Sequence, residues 1–264
     1  EISAESIQIE PDKIRNALID AALLVHPDQA DLPPFSLPAI RRALGGYEHV
    51  FTTNYDLILY WATLFELPYV GSDSFRKRDG KLVYVPQEGA AKPPTIHYLH
   101  GALHLTVDDE TANTEKVEVT HGASLLEGIE SSWRGGRVPM FVSEGTSRQK
   151  LRTIDRHRYL VDQFSALNTV SGGLVVLGHQ LAETVDDHIV DAINEARKRN
   201  KIGIAVGLFQ GDPTWEEQRA SIKRRVSGEI VFFDSRCHPL MPQRPQSLPG
   251  RMSLRAALCP HSLN

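Results

Sequence analysis

Four polar side chains occupy five positions in one short stretch, HVFTTNYDLILYW, where an apolar run should pass directly into a helix. They are Thr52, Thr53, Asn54 and Asp56. Hydroxyl, amide and carboxylate groups can bind a substrate and move protons. Helix capping is the structural alternative, because Asn and Asp accept hydrogen bonds from free N–H groups at a helix start. Capping accounts for one or two of the four residues, so we interpret the stretch as a candidate site.

A second group of chemically active residues is the histidine-rich segment IHYLHGALHL. Its histidines are His97, His100 and His104. A metal site is disfavoured, because residues three apart in a strand face opposite sides, which separates His97 from His100. His100 precedes Gly101 at a strand end, where one imidazole beside close backbone suits a general base. A satisfied structural histidine is the alternative for His100 taken alone.

The elements around these residues predict an α/β protein. Apolar strand-like runs alternate with amphipathic helical patterns, most regularly from residue 137 onward. This alternation is typical of parallel sheets covered by helices. We therefore predict a doubly wound, mostly parallel Rossmann-like sheet with helices on both faces. It would form one domain over residues 1–234, with an inserted middle segment at about 68–137 and a proline-rich C-terminal arm at 235–264.

Ligands in such sheets lie beyond the carboxyl ends of the strands, and three loops fit that place. They are the loops at 52–56, 143–147 and 178–187. Ser143 and Thr146 precede a helix with Lys150 one turn inside, which indicates either an anion site or a capped helix start. Asp186 and His188 suggest metal ligands, but acidic residues in a first turn are also favoured by the helix dipole.

The composition excludes several classes of protein. The chain has 264 residues and a formal net charge of −4, which argues against direct nucleic-acid binding. The basic runs, Arg224-Arg225 among them, are interpreted as solvated faces. No apolar stretch approaches the roughly 20 residues of a membrane span. One bridge between Cys237 and Cys259 is an option, but free thiols and a cytoplasmic location are favoured.

Three separated motifs together resemble those of the sirtuin-like, NAD-consuming superfamily. The motifs are Thr52-Thr53-Asn54-x-Asp56, His100-Gly101, and VVLGHQL at Val175–Leu181. The resemblance covers about Val50 to Asp234. It is closest to a bacterial branch known as a domain of unknown function, of which YLHGALHL and FVSEGTS are typical.

The resemblance implies catalytic roles for two residues. Asn54 would hold the nicotinamide ribose and position the attacking water, and His100 would act as general base through the ribose hydroxyls. Asp56 would shape the nicotinamide pocket. The other residues expected to bind the cofactor are Thr52, Thr53, Gly101, Ser143, Thr146, Gly178, His179 and Gln180. NAD would be the substrate, and no metal is expected.

Three departures from the superfamily refine this expectation. The paired cysteines of the deacylating sirtuins' zinc module are missing, which favours NAD hydrolysis over deacylation. No glycine-rich phosphate loop precedes the first helix, since Gly45-Gly46 stands before a strand. That loop either lies outside the numbered chain or is lost. The small hydroxyl residue expected after Gly178 is replaced by His179 and Gln180.

The preferred hypothesis is therefore an NAD glycohydrolase. The resemblance implies a bacterial, anti-phage setting in which a homo-oligomer or a regulatory protein partner controls activity. The first alternative is a catalytically inactive sensor that binds NAD or ADP-ribose. The second is a nuclease-like protein that uses Glu144, Lys150 and the acidic residues near Asp186.

Overall fold

The computed structural model describes residues 24–66, 71–86, 93–108, 111–118, 124–142 and 145–240, together with 17, 20 and 21. The helices are α1 Ser36–Leu44, α2 Ile58–Leu64, α3 Leu125–Arg134, α4 Ser147–Ile154, α5 Arg158–Thr169, α6 Asp187–Asn200 and α7 Trp215–Arg225. The strands are β1 His49–Thr52, β2 Phe75–Arg78, β3 Lys81–Tyr84, β4 Thr95–Tyr98, β5 Gly101–Val107, β6 Thr114–Lys116, β7 Val138–Phe141, β8 Gly173–Leu177, β9 Gly203–Leu208 and β10 Ile230–Asp234. The protein is therefore of mixed α/β type.

Two sheets are parallel, as the apolar strand patterns predict. β1 pairs with β4, and Thr52 at the end of β1 lies opposite Tyr98 at the end of β4. The second sheet has the order β10-β9-β8, and all its strands run in one direction. The central strand β9 buries Ile204 and Val206 in the core to which helices α5 and α6 also contribute. Side chains buried by helices in this way produce the near-continuous apolar runs of the sequence.

The largest sheet is antiparallel, and here the prediction of a mostly parallel sheet is wrong. Its order is β2-β3-β6-β5-β7, and most of its strands come from the inserted segment at about 68–137. The β2–β3 hairpin turns at Asp79 and Gly80, whose φ values of 48° and 81° match the right-handed strand twist. β7 was expected among the parallel strands, but it pairs antiparallel with β5. A hairpin and short returns favour antiparallel pairing, because parallel pairing requires a long crossover.

One hydrophobic core joins the three sheets. Helices α5 and α6 pack on it, and their buried side chains include Tyr159, Leu160 and Ile193. A second core lies between α1, α2, α3 and β5, where Trp61 and Trp133 are buried. Strand β5 contributes to both cores, with Ala102 and Leu105 in the first and Leu103 in the second, so the segment around His100 lies in the interior.

The ends of the chain are described only in part. Leu24 and Val25 are helical, but most of the predicted first helix and the arm beyond residue 240 lie outside the described residues. The arm's first residues pack on the domain, since His238 is buried and hydrogen-bonds the Tyr47 hydroxyl through Nε2 at 2.9 Å. Cys237 is disulfide-bonded, so the expectation of free thiols is wrong for that residue. No helix in the described part of the chain is long and apolar enough to cross a membrane.

Gly101 is the point at which the chain leaves β4 and enters β5. Its φ is +83°, a conformation that disfavours every residue with a Cβ. A Cβ at this position would also overlap the carbonyl oxygen of Met140 in β7. Glycine is therefore required here for close backbone packing. The structure thus accounts for Gly101 without a cofactor contact.

We expect Gly101→Ala to lower the free energy of unfolding by about 4 kcal/mol or more, because backbone strain and a backbone clash add. Gly172→Ala is the matched control, since Gly172 has a φ of +84° with open space around its Cβ position. That control should lose only about 1–2 kcal/mol of left-handed strain. Urea unfolding of the two variants measures the difference, and equal losses would contradict the steric account.

Candidate functional site

The parallel pairing of β1 with β4 brings the two predicted motifs together. The N–H of Leu99 donates to the carbonyl of Thr52 at 2.9 Å. Beyond the strand ends, the N–H of Leu103 donates to the carbonyl of Tyr55, also at 2.9 Å. The polar segment at 52–56 therefore runs beside His100 at the carboxyl edge of the pair. This is the place where parallel sheets hold their ligands.

Two of the four polar residues in this segment have local structural roles. Asp56 Oδ1 accepts a hydrogen bond from the N–H of Ile58 at 3.0 Å, at the first turn of α2. Thr52 Oγ1 accepts from the N–H of Asn54 at 3.1 Å. The side chain of Asn54 is exposed and Thr53 is half-buried. Local hydrogen bonds to backbone N–H groups thus explain Asp56 at the start of α2 and Thr52 in the turn before it, and leave Asn54 and Thr53 for another role.

His100 is buried and pairs with a second histidine. It is 5% exposed, and its Nε2 lies 2.9 Å from Nε2 of His188 in the first turn of α6. The ring planes differ by 19°. Burial, and then the neighbouring His188 and Lys150, lower the pKa of His100 to about 3. Burial and Lys150 likewise lower the pKa of His188 to about 4, so both rings are neutral at neutral pH.

A buried ion pair lies beside the two histidines. Lys150 Nζ of α4 is 3.3 Å from Asp186 Oδ1, and both side chains are almost fully buried. Asp186 Oδ2 also accepts a hydrogen bond from the N–H of Ala182 at 3.0 Å. Burial raises the pKa of Asp186, but His179, this N–H and Lys150 outweigh it and lower the pKa overall. The site therefore combines one fixed ion pair with neutral imidazoles.

The loop after β7 also lies beside His100, although β7 is antiparallel to β5 and not parallel as predicted. Because β7 runs antiparallel to β5, its carboxyl end meets the amino end of β5. The N–H of Val142 accordingly donates to the carbonyl of His100 at 2.9 Å. Ser147 Oγ accepts a hydrogen bond from the N–H of His188 at 2.7 Å.

Two residues of the loop after β7, Ser143 and Thr146, were predicted to bind a cofactor, and the structure describes one of them. Thr146 is the N-cap of α4 and forms a reciprocal capping box with Gln149, so the capped-start interpretation holds for its side chain. Ser143 lies outside the described residues.

The loop at 178–187 lies at the carboxyl end of β8. Gly178 has a φ of +65° with open space around it, and Gln180 is exposed. His179 is half-buried, and its Nδ1 accepts a hydrogen bond from the N–H of Leu181 at 3.0 Å. Burial is the main cause that lowers the pKa of His179. Gly178 and Gln180 are thus accessible to a ligand, whereas His179 supports the loop.

Arg225 of α7 holds this loop in place. Its guanidinium donates to the carbonyl of Leu181 and forms an ion pair with Asp187 at 2.5 Å. The Arg225 side chain is only 14% exposed. The interpretation of Arg224-Arg225 as a solvated face is therefore wrong for Arg225.

The remaining histidines of the IHYLHGALHL segment point elsewhere. His97 Nδ1 hydrogen-bonds Gln163 at 2.7 Å, and burial lowers its pKa to about 4. His104 stacks on Tyr60, and burial lowers its pKa to about 3. His97 and His100 do not converge, in agreement with strand alternation. Among the described residues, no group of three or more His, Cys, Asp or Glu could hold a metal ion.

Three cavities in the described part of the chain lie away from this site. One of about 550 Å³ is lined by Lys81, Glu115 and Arg137 on the antiparallel sheet. The others, of about 160 and 370 Å³, lie beside Tyr60 and Trp61. None of these three is lined by the segment at 52–56 or by His100.

The nuclease alternative groups Lys150 with the acidic residues near Asp186, but the sequence does not predict that Lys150, Asp186 and His188 converge on His100. For Lys150 the sequence leaves open an anion site, a capped helix start or a nuclease, and for Asp186 and His188 it favours the helix dipole over metal binding. A usable signal was present, since all three stand at helix starts that follow predicted strands. The pairing of these particular loops is set by tertiary structure.

We expect Asp56→Ala to lower the free energy of unfolding by about 1 kcal/mol, because the first turn of α2 loses a hydrogen-bond acceptor. Asn54→Ala should change it by less than about 0.5 kcal/mol, since its side chain is exposed. Urea denaturation distinguishes the two. A large loss for Asn54→Ala would show that this residue has a structural role.

We expect the free energy of unfolding to decrease as the pH is lowered from the ordinary histidine pKa of about 6.5 to the folded-state pKa of about 3. The folded-state pKa of His104 is about 3, below the ordinary value near 6.5. The unfolded chain therefore takes up a proton first, and stability present at pH 7 is lost as the pH falls. His104 alone should contribute about 2 kcal/mol of loss at pH 5.

His104→Phe tests this expectation, because Phe keeps the stacking on Tyr60 and cannot titrate. Unfolding free energies of both proteins at pH 5, 6, 7 and 8 are the measurement. As the pH falls, the free energy of unfolding of the variant should increase relative to that of the wild type. The difference between the two proteins at pH 8 is the reference. If the free energies of unfolding of the two proteins changed by the same amount with pH, the assignment of a buried neutral imidazole to His104 would be contradicted.

Comparison with known proteins supplies a family but no activity. No curated protein matches this chain. A family model described as "Domain of unknown function (DUF4917)" matches residues 1–239. Because the match extends over most of the chain, this protein belongs to the DUF4917 family.

Proposed function

We propose that this protein hydrolyses NAD at the carboxyl edge of the β1–β4 pair, releasing nicotinamide and ADP-ribose. The observation that carries the proposal is the juxtaposition of the 52–56 segment with His100, through the Leu99 to Thr52 hydrogen bond of 2.9 Å. An exposed amide, Asn54, and a neutral imidazole thus come from adjacent strand ends. These are the group types that the resemblance to the sirtuin-like superfamily implies for this reaction.

The proposed chemistry is a displacement at C1′ of the nicotinamide ribose. The C1′–nitrogen bond breaks, and its electron pair passes to the pyridinium ring, which leaves as neutral nicotinamide. A water molecule held by Asn54 forms the new bond to C1′, and its proton leaves by way of His100 to solvent. The transition state is oxocarbenium-like, as in glycoside hydrolysis. Water attacking such a carbon becomes strongly acidic, so an imidazole of low basicity can accept its proton.

The loop at 178–187 would supply the other wall of the site. Gly178 has open space around it, which lets a cofactor approach the backbone closely. Exposed Gln180 and half-buried Thr53 add polar groups. The proposal includes a doubly wound, Rossmann-like arrangement of the parallel strands. It also includes control of activity by an oligomer or a partner protein in bacterial anti-phage defence. The defence setting rests on the sequence resemblance alone.

A second candidate function is an inactive module that binds NAD or ADP-ribose. The observation that favours it is the state of His100, which is 5% exposed and already hydrogen-bonded to His188. A histidine engaged in this way can serve as a packing residue. Binding without turnover would be the signature of such a sensor.

The test is nicotinamide release from NAD by the purified full-length protein and three variants. Asn54→Ala and His100→Gln should each lower turnover by about 100-fold or more, because each removes a group that acts on the water. His100→Gln retains an amide near the Nε2 position, within reach of His188. Asn113→Ala is the matched control, since Asn113 is an exposed asparagine in the turn between β5 and β6. It should keep wild-type turnover.

Thermal shifts with NAD and with ADP-ribose complete the test, because a bound ligand raises the melting temperature. Turnover that is lost in both site variants, with their folding intact, supports hydrolysis. Stabilisation by NAD without nicotinamide release would establish the sensor. Neither stabilisation nor release would overturn both functions and leave the 52–56 segment as a capped helix start.

A further inference from the structure

The contact between His100 and His188 joins the same nitrogen of two rings. Nε2 of one lies 2.9 Å from Nε2 of the other, and a hydrogen bond at this distance requires one proton between the two nitrogens. One ring therefore carries hydrogen on Nε2, and the other accepts with a bare Nε2. Because both rings are neutral, the second ring must carry its hydrogen on Nδ1. The pair thus has two alternative tautomeric arrangements, and each ring determines the tautomer of the other.

His188 is held rigidly in this contact. Its backbone N–H donates to Ser147 Oγ at 2.7 Å, and its ring stacks on Phe164 with centroids 5.6 Å apart. The residue is 2% exposed, and its Nδ1 is buried without a hydrogen-bond partner among the described residues. Its ring contacts His100 and Phe164. Any part it has in chemistry is exerted through His100.

Charged and titratable groups face the pair from every element around it. Lys150 of α4 and His179 of the 178–187 loop disfavour a positive charge on either ring, and Asp186 favours it. Asp187, in the first turn of α6, favours it on His188. Burial is the largest effect on both rings and also opposes the charge. Both rings of the pair therefore stay neutral. The two arrangements then differ only in which nitrogen of each ring carries hydrogen.

We propose that His188 is a positioning residue that accepts the hydrogen bond of His100 Nε2–H, with its own hydrogen on the unpartnered Nδ1, and so keeps Nδ1 of His100 bare for the substrate. The inference rests on the proposed function, since it specifies how the base of that reaction is prepared. A proton leaving the ribose or the water can bind only to a bare nitrogen. With Nε2 engaged by His188, Nδ1 is the nitrogen of His100 that is left.

Two substitutions separate this role from simple packing. His188→Phe keeps the flat shape and the stacking on Phe164, but it removes the acceptor. His188→Gln places an amide oxygen near the former Nε2 position and keeps the acceptor without a titrating ring. We expect His188→Phe to lower kcat for nicotinamide release by about 100-fold with KM nearly unchanged. His188→Gln should restore kcat to within about 10-fold of the wild type.

A spectroscopic readout tests the pair without any turnover. ¹⁵N chemical shifts of the ring nitrogens in histidine-labelled protein report which nitrogen carries hydrogen. In the wild type at pH 7.5, a value at which both rings are neutral, His100 should show a protonated Nε2 and a bare Nδ1. His188 should show the reverse. In His188→Phe, His100 should become a mixture of the two tautomers, and in His188→Gln it should keep the wild-type form.

The outcomes are distinguishable. A wild-type His100 that carries its hydrogen on Nδ1 overturns the inference, whatever the activity. Equal turnover in His188→Phe, His188→Gln and the wild type also overturns it, as does equal loss in both folded variants. A wild type with the expected tautomers but no nicotinamide release overturns the proposed function instead, and confines His188 to orienting His100.

Discussion

The architecture of the site depends on the parallel pairing of β1 with β4 and on the abrupt end of that pairing at Gly101. The chain leaves the pair there with a φ of +83° and continues directly into the antiparallel sheet. His100 is therefore fixed between a parallel and an antiparallel sheet. The 52–56 segment approaches it from the end of β1. The loop after β7 approaches it from the other side, because β7 pairs with β5. A glycine is the only residue that permits so close a backbone crossing.

The chemistry around His100 follows from burying polar groups together. An isolated charge in the interior is strongly unfavourable, so Lys150 is retained there only with Asp186 as its partner. The histidines respond to the same environment by remaining neutral. Replacing a buried ion pair by apolar residues of similar volume is often neutral or stabilising, so such a pair is weak evidence for a role in stability. Buried, mutually perturbed titratable groups are more typical of functional sites than of ordinary cores.

Local features of the chain could be predicted well. The boundary between β1 and α2, the capping by Asp56 and the divergence of His97 from His100 all follow from short-range rules. Predictions failed where long-range pairing decides. β7 joined an antiparallel sheet, and Arg225 turned inward to hold the 178–187 loop. A strand's pattern of apolar residues is compatible with either direction of pairing, and a basic pair gives no indication of which arginine finds a buried partner.

The sequence by itself determined the α/β class, the polar segment at 52–56 and the candidacy of His100. Hydrophobic periodicity and turn chemistry act over a few residues, so they can be interpreted without coordinates. Only the tertiary structure decided that His100 bonds His188, 88 positions further along the chain. Contacts at such separations depend on the register and direction of several strands at once. The composition of the site was thus visible in the sequence, whereas its connectivity arose from the packing of three sheets around one core.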